Sequence, residues 1–287
     1  MCCYRIRRPA GICCCVAPLL MVTIYADYGD EPEDEFIPLP ASLACAYYDL
    51  EMDSVEDDII FYNSRLPQQA RIVELGCGSA RVGSKLLGDG RRVIGLDISI
   101  DMLRKARDRN LPGLQVVGMD MTGFAFNSSF DAVIIPYNSL NLLIEKQHIK
   151  QCLTACRQHL QPNGLFIAQI FVPTQEFISQ GKKSFQFQIH EMKPDGRLIK
   201  EILKEYQAES QTIIVEERYR VRPAGNNAGP ADYNNIYRVG ALLANDWLQL
   251  IAESGFSVKN CYEDFSCTPF GTTDSSRLLV EAVSDSK

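Results

Sequence analysis

To hold a small charged ligand, a chain needs backbone that can approach it closely and side chains that match its charges. Glu74-Leu-Gly-Cys-Gly78 offers both. Gly76 and Gly78 allow a tight turn with no side chain between backbone and ligand. Glu74, just ahead of them, would repel a pyrophosphate and welcome a cation or an ammonium group. Asp97 follows the glycines by ~20 residues, the spacing at which a carboxylate takes two hydroxyls of a ribose. Asp120 with Met121, and then Tyr137-Asn-Ser139, extend the series of polar groups. Gly76-Cys-Gly78-Ser-Ala-Arg81 nearly matches the dinucleotide pattern G-x-G-x-x-G, but Arg81 stands at the third glycine and is too large for close packing of helix on strand. A ligand with a ribose, an adenine and a positive end, but no phosphate, satisfies these residues together.

Such groups converge only if the elements before them are parallel strands. Ile72 to Leu75 is a short apolar run, followed by a helix from about Ala80 to Leu87 and a second apolar strand, Arg92 to Leu96, ending in Asp97. Ser99 caps the next helix, Leu114 to Val117 and Asp131 to Ile135 are further strands, and Ile149, Cys152, Leu153, Cys156 and Leu160 mark a helix closed by Pro162-Asn-Gly164. Leu165 to Val172 is the fifth strand. Asn245 caps a late helix, and Phe256 to Cys261 and Arg277 to Val283 return to the sheet. This alternation predicts an α/β fold: a doubly wound, Rossmann-like, mostly parallel seven-stranded sheet. Ligands of such sheets bind outside the carboxyl ends of the strands, where Glu74, Asp97, Asp120 and Tyr137 all fall.

The flanking segments differ in pattern. Residues 1–40 read as a tail and acidic linker, 41–70 as a helical cap with Asp53-Ser54 as a break between two helices, 71–172 and 241–287 as the core, and 173–240 as an inserted antiparallel β region. The apolar run after Arg5, Arg7 and Arg8 is broken by Pro9 and Pro18 and lacks a small-residue cleavage site, so an uncleaved tail, or initiation at Met21, is expected over a secretory signal. It is also too short to span a membrane. A net charge of −7 leaves no basic footprint for nucleic acid. Five of the eleven cysteines crowd into the first fifteen residues, and Cys152 and Cys156 fall on an apolar helix stripe; packing rather than metal binding is expected of that pair.

Val73-Glu-Leu-Gly-Cys-Gly-Ser-Ala-Arg81, Gly95-Leu-Asp-Ile-Ser99, Met119-Asp-Met121 and Phe130-Asp-Ala-Val-Ile-Ile135 resemble, in order, the successive motifs of class I S-adenosylmethionine-dependent methyltransferases. The resemblance covers roughly two-thirds of the chain. It implies S-adenosyl-L-methionine as cofactor and no metal. By it, Glu74 would orient the methionine amino group, Gly76 and Gly78 would lie against the methionine portion, Asp97 would hold the ribose hydroxyls, Ile98 would contact the adenine or ribose edge, and Asp120 and Met121 would bracket the adenine. Ala80 departs from the glycine common in the family.

Tyr137, Asn138, Ser139 and Asn141 are placed to line the transfer channel. Pro136-Tyr-Asn-Ser139 is not the Asn/Asp-Pro-Pro-Tyr/Phe motif of some nucleic-acid and glutamine methylases. Tyr47 and Tyr48 resemble the aromatic lid of glycine and amino-sugar N-methyltransferases, or else pack in a core. Tyr48, Tyr137 and Asn138 are the expected catalytic residues. His190, Tyr233, Tyr237 and Arg238 are further candidates to touch the acceptor, His190 as a base and Arg238 as a carboxylate clamp. The expectation is a cytoplasmic enzyme, with a homodimer as one candidate assembly, that moves a methyl group to nitrogen or oxygen of a small molecule. Two alternatives stand beside it: a binding protein that senses S-adenosylmethionine, and a cysteine-assisted metalloid methyltransferase.

Overall fold

The computed structural model describes residues 22–25, 35–52, 54–180, 184–192, 196–223 and 229–285. The first 21 residues with Cys2, Cys3, Cys13, Cys14 and Cys15, most of the acidic run, Asp53, the turn at Pro194 and Asp195, and the loop beginning at Ala224 lie outside the described residues.

In chain order the strands are β1 (Val22–Tyr25), β2 (Ile37–Pro38), β3 (Arg71–Leu75), β4 (Arg92–Asp97), β5 (Leu114–Gly118), β6 (Phe130–Ile135) and β7 (Leu160–Phe171). There follow β8 (Ser184–Glu191), β9 (Gly196–Gln207), β10 (Thr212–Pro223), β11 (Ala231–Gly240), β12 (Phe256–Tyr262) and β13 (Arg277–Ser284). The helices are α1 (Ala41–Met52), α2 (Asp57–Arg65), α3 (Arg81–Lys85), α4 (Ile100–Asp108), α5 (Lys146–His159), α6 (Gln175–Gln180) and α7 (Ala244–Glu253).

Seven strands form the main sheet in the order β12-β13-β7-β6-β3-β4-β5. β7, β6, β3, β4 and β5 run parallel, and β13 pairs antiparallel with both β7 and β12, so the edge strand β12 runs in the same direction as those five. Alternate residues of each central strand enter opposite cores. Val73, Leu75, Val133 and Ile135 pack against Ile149, Cys152, Leu153 and Cys156 of α5 and Trp247 and Ile251 of α7. Ile72, Ala132 and Ile134 meet Ile59, Phe61 and Tyr62 of α2 and Val82 of α3. Burial on both faces is why these strands read as unbroken apolar runs. Cys152 and Cys156 lie wholly inside the first core, as packing predicts.

A second sheet of six strands, β1-β8-β9-β10-β11-β2, is built from the alternating region; all its pairs are antiparallel except β11 with β2. β1 and β2, from the segment read as tail and linker, form its two edges. The sheets are joined by Asn141, whose side-chain amide donates to Phe171 O and Gly240 O while its Oδ1 accepts from Phe171 N.

Three local expectations need correction. The helix after the glycine turn is only Arg81–Lys85: Ala80 is left-handed (φ +57°), which moves the start by one residue, and Leu86 N–H turns to Gly83 O, closing the last turn early. Strand β7 begins at Leu160, before Pro162-Asn-Gly164, because Leu160 pairs with Phe130 and the chain bulges before Leu165 resumes pairing with Ala132. Asn245 sits inside α7 rather than capping it; Leu243 starts the helix through its backbone carbonyl, which accepts from Asp246 and Trp247. Ser99 does cap α4, its hydroxyl accepting from Met102 N at 3.3 Å.

Candidate active site

At the carboxyl end of β3, Gly76 and Gly78 take φ of +65° and +54°, a region costly for a side chain. Space forbids one at Gly76 as well: a Cβ there would stand 2.6 Å from Ser139 Cβ and Oγ. Gly78 faces open room bounded by Met102 Sδ at 3.8 Å and Tyr48 at 3.9 Å. Gly78 N–H donates to Asp97 Oδ2 and Ser99 N–H to Asp97 Oδ1, each at 2.8 Å. A carboxylate oxygen has two lone pairs, so both oxygens keep one acceptor position, and the two backbone bonds fix where those positions point. Such a carboxylate suits a vicinal pair of hydroxyls.

Beside it Ile98 is 75 % exposed, an apolar platform without protein cover. Asp120 accepts from Thr122 N–H and its hydroxyl, both at 2.8 Å, and those bonds hold its carboxyl below the usual range. Met121 is half-buried at the edge of the main core.

Glu74 differs from its sequence reading. It is 2 % exposed and its Oε2 accepts from Gly83 N at 2.9 Å, so it binds the start of α3 to the floor of the glycine turn. Burial pushes its carboxyl up to about 8, against the Gly83 bond and the Arg81 charge, which pull it down. Near neutral pH the free protein therefore holds Glu74 mostly protonated, and charge repulsion is not what would keep a pyrophosphate away. Steric bulk at Arg81 is a separate matter. The Arg81 side chain is buried, its guanidinium paired with Asp58 of α2 and donating to Val55 O just ahead of that helix at 3.0 Å.

The cap helix α1 is fastened over this turn. Asp49 accepts from Ser79 Oγ at 2.6 Å and from Lys105 Nζ at 2.7 Å, while Arg109 Nε donates to Ser79 O at 2.6 Å. Tyr48 thereby comes to Gly78 and meets Tyr137 edge-on with ring centroids 6.2 Å apart. Burial lifts the Tyr48 hydroxyl to about 12, with Arg81 opposing, so it is a neutral hydrogen-bonding group and not a phenolate. Tyr47 points elsewhere: it stacks on Tyr219 at 5.4 Å and belongs to the core beneath the second sheet.

Tyr137 and Asn138 both have left-handed backbone, φ +49° and +61°, and Tyr137 is 46 % exposed at the mouth of the turn. Strain of this kind persists where surrounding structure enforces it, as at functional sites. Ser139 is spent on structure, donating to Pro136 O at 2.9 Å and packed against Gly76. Asn141 is buried as the brace between the sheets, its amide taken up by Phe171 and Gly240. Of the acceptor-side candidates, Tyr237 projects toward Glu217 on the inner face of the second sheet and Tyr233 packs near Tyr47. His190 is buried near Lys200, and burial pulls its imidazole down. Arg238 alternates with Tyr237 along β11 and is exposed on the outer face, so it clamps nothing in this site.

Sequence reasoning missed Asp58, Glu51, Lys200 and Glu217. Glu51 was readable only as one turn beyond Tyr48 on the same helix face, and the strand residues only by extending the alternation of Tyr219 to Glu217 and across to Lys200.

Residues 72–164 match the methyltransferase domain family. The putative methyltransferase YqeM of Bacillus subtilis (strain 168) is 29 % identical over 110 residues, 37 % of this chain and 44 % of the relative. The dTDP-3-amino-3,4,6-trideoxy-alpha-D-glucopyranose N,N-dimethyltransferase of Streptomyces venezuelae is 26 % identical over 106 residues, again 37 % of this chain and 44 % of the relative. The chain thus spans less than half the length of these two curated relatives. Among solved structures, the SAM-bound amino pentose methyltransferase CalS10 of Micromonospora echinaspora superposes with a TM-score of 0.68 at 20 % identity, over 88 % of this chain and 100 % of that one. That likeness is one of fold. Residues 72–164 thus carry a methyltransferase domain, and the sheet around it has the fold of these solved methyltransferases.

Proposed function

We propose that the protein binds S-adenosylmethionine at the glycine turn and catalyses transfer of its methyl group to a nitrogen or oxygen of a small molecule. The observation that carries this is the Asp97 carboxylate, fixed by Gly78 N–H and Ser99 N–H at 2.8 Å each and left with two acceptor positions beside the exposed Ile98. Bound there, S-adenosylmethionine supplies an electrophilic methyl carbon on a sulfonium sulfur.

The chain's residues supply position. Asp97 holds the ribose hydroxyls, Ile98, Asp120 and Met121 surround the adenine, and Gly76 and Gly78 give the methionine portion access to backbone. Glu74 lies under that portion; an ammonium nearby favours its ionised form, so binding draws a proton from it. Tyr48 and Tyr137 flank the turn where a methyl group would emerge, and with Asn138 they line the acceptor's approach. Holding donor and acceptor in line provides much of the rate of such a displacement. Nitrogen is favoured over oxygen as the accepting atom by the relative named as an N,N-dimethyltransferase of an amino sugar.

Burial pushes up the thiols of Cys45, Cys77, Cys156 and Cys261, so these groups are protonated and poor nucleophiles. This argues against a cysteine-assisted route through those four residues.

Incubation with methyl-labelled S-adenosylmethionine and fractionated small-molecule extract tests the reading. The expected result is S-adenosylhomocysteine together with a labelled product of low mass. Binding of the cofactor with no label leaving it in any fraction would favour a sensing protein instead.

A further inference from the structure

Beneath the second sheet lies a buried group of charges that the donor site does not use. Lys200 Nζ on β9 pairs with Glu51 Oε2 of α1 at 2.8 Å and with Glu217 Oε1 of β10 at 2.7 Å. Two carboxylates thus face the Lys200 ammonium, and Lys204, on the same face of β9, adds a second buried ammonium near Glu217. The Glu51 side chain is only 9 % exposed, and its Oε1 is buried with no hydrogen-bond partner among the described residues, although a carboxylate oxygen normally has one.

The walls are aromatic. Lys200 Nζ lies 5.2 Å from the Tyr219 ring centroid, Tyr219 Oη donates to Glu217 Oε2 at 3.0 Å, and Tyr237 stands against Glu217. The group also adjoins the donor site: Glu51 is three residues beyond Tyr48 on α1, Tyr48 meets Tyr137 edge-on, and the Tyr137 hydroxyl lies within electrostatic reach of Lys200, Glu51, Glu217 and Arg81. Burial raises the Glu51 carboxyl, with Lys200 opposing, so this oxygen is more basic than an ordinary carboxylate.

We propose that Glu51, held by Lys200 beside Glu217, is the subsite for a protonated amine of the acceptor, with its unpartnered Oε1 receiving the ammonium N–H. An acceptor-only carboxylate oxygen left open in this way favours a cationic amine, which has charged N–H to give, over a neutral hydroxyl. The chemistry balances: the ammonium gives a proton to Glu51, and the freed nitrogen lone pair forms a bond to the methyl carbon. The carbon–sulfur bond breaks with its electron pair going to sulfur. A methylated ammonium and S-adenosylhomocysteine result, and Glu51 returns its proton to water as product leaves. This assignment rests on the donor reading above.

The test is calorimetry on the full chain, saturated with S-adenosylhomocysteine, using matched probes: glucosamine and glucose, 2-phenylethylamine and 2-phenylethanol, and dTDP-3-amino-3,6-dideoxyglucose and its 3-hydroxyl counterpart. The amine of at least one pair is expected to bind at least tenfold more tightly than its hydroxyl partner. Glu51→Gln should reduce that preference below threefold while S-adenosylhomocysteine affinity stays within twofold. Lys200 remains paired with Glu217 in this variant, so the fold should persist; if it does not, Glu51→Asp, which keeps the charge toward Lys200 but draws the carboxylate back by one methylene, carries the same expectation. No amine preference in any pair, or a preference that survives the substitution, overturns the subsite. Failure of wild type to bind S-adenosylhomocysteine overturns the donor reading, and the subsite with it.

Discussion

Replacing Glu74 by Gln should flatten the pH dependence of stability, and the size of the change follows from the site. The buried carboxyl is pushed from an ordinary 4.5 to about 8, chiefly by burial. Between those values the native state holds a proton that the unfolded chain releases, so stability falls as pH rises through that window and is level on either side. At ~1.4 kcal/mol per pH unit, the whole window is worth about 5 kcal/mol, and the part between pH 5 and pH 8 roughly 3–4 kcal/mol. The substituted amide would keep an oxygen to accept from Gly83 N–H but has nothing to titrate. Urea unfolding of wild type and Glu74→Gln at half-unit steps from pH 5 to pH 8 measures the difference directly. Wild type should lose about 3–4 kcal/mol relative to the variant across that range. Parallel profiles would refute the claim that Glu74 is held neutral.

Two further perturbations test the scaffold. Gly76→Ala combines a left-handed φ of +65° with a Cβ 2.6 Å from Ser139 and should cost roughly 2–4 kcal/mol in chemical denaturation, part of it recovered by adding Ser139→Gly. Asp58→Asn strands the buried Arg81 guanidinium and should cost about 3–5 kcal/mol by the same assay, far more than loss of an exposed pair such as Arg104 with Asp101.

The placement of the residues proposed for the donor half was legible because it is local in sequence: each group sits at the end of one strand, and strands covered on both faces announce themselves as apolar runs. Gly76, Gly78 and Asp97 needed only that pattern and a spacing. Glu74 was placed correctly in the chain but misread electrostatically, since a charge state depends on burial that no local pattern reveals. The acceptor half was illegible for a different reason. Glu51, Lys200 and Glu217 come from a helix and two strands distant in the chain, and each alone looks like an ordinary surface charge. Tyr47 and Tyr48 show the limit most simply: adjacent residues of one type, separated in role because successive helix positions point ~100° apart. Arg238 failed by strand parity, falling on the outer face because Tyr237 takes the inner one.

Everything proposed for the donor site turns on Asp97, braced by Gly78 and Ser99, receiving the ribose of S-adenosylmethionine. Calorimetric titration of wild type and Asp97→Ala with S-adenosylmethionine is the most direct test. The variant should lose at least about 1.5 kcal/mol of affinity, more than tenfold in Kd, as expected when a charged hydrogen-bonding group is removed. Equal affinity in the two proteins would contradict that role for Asp97.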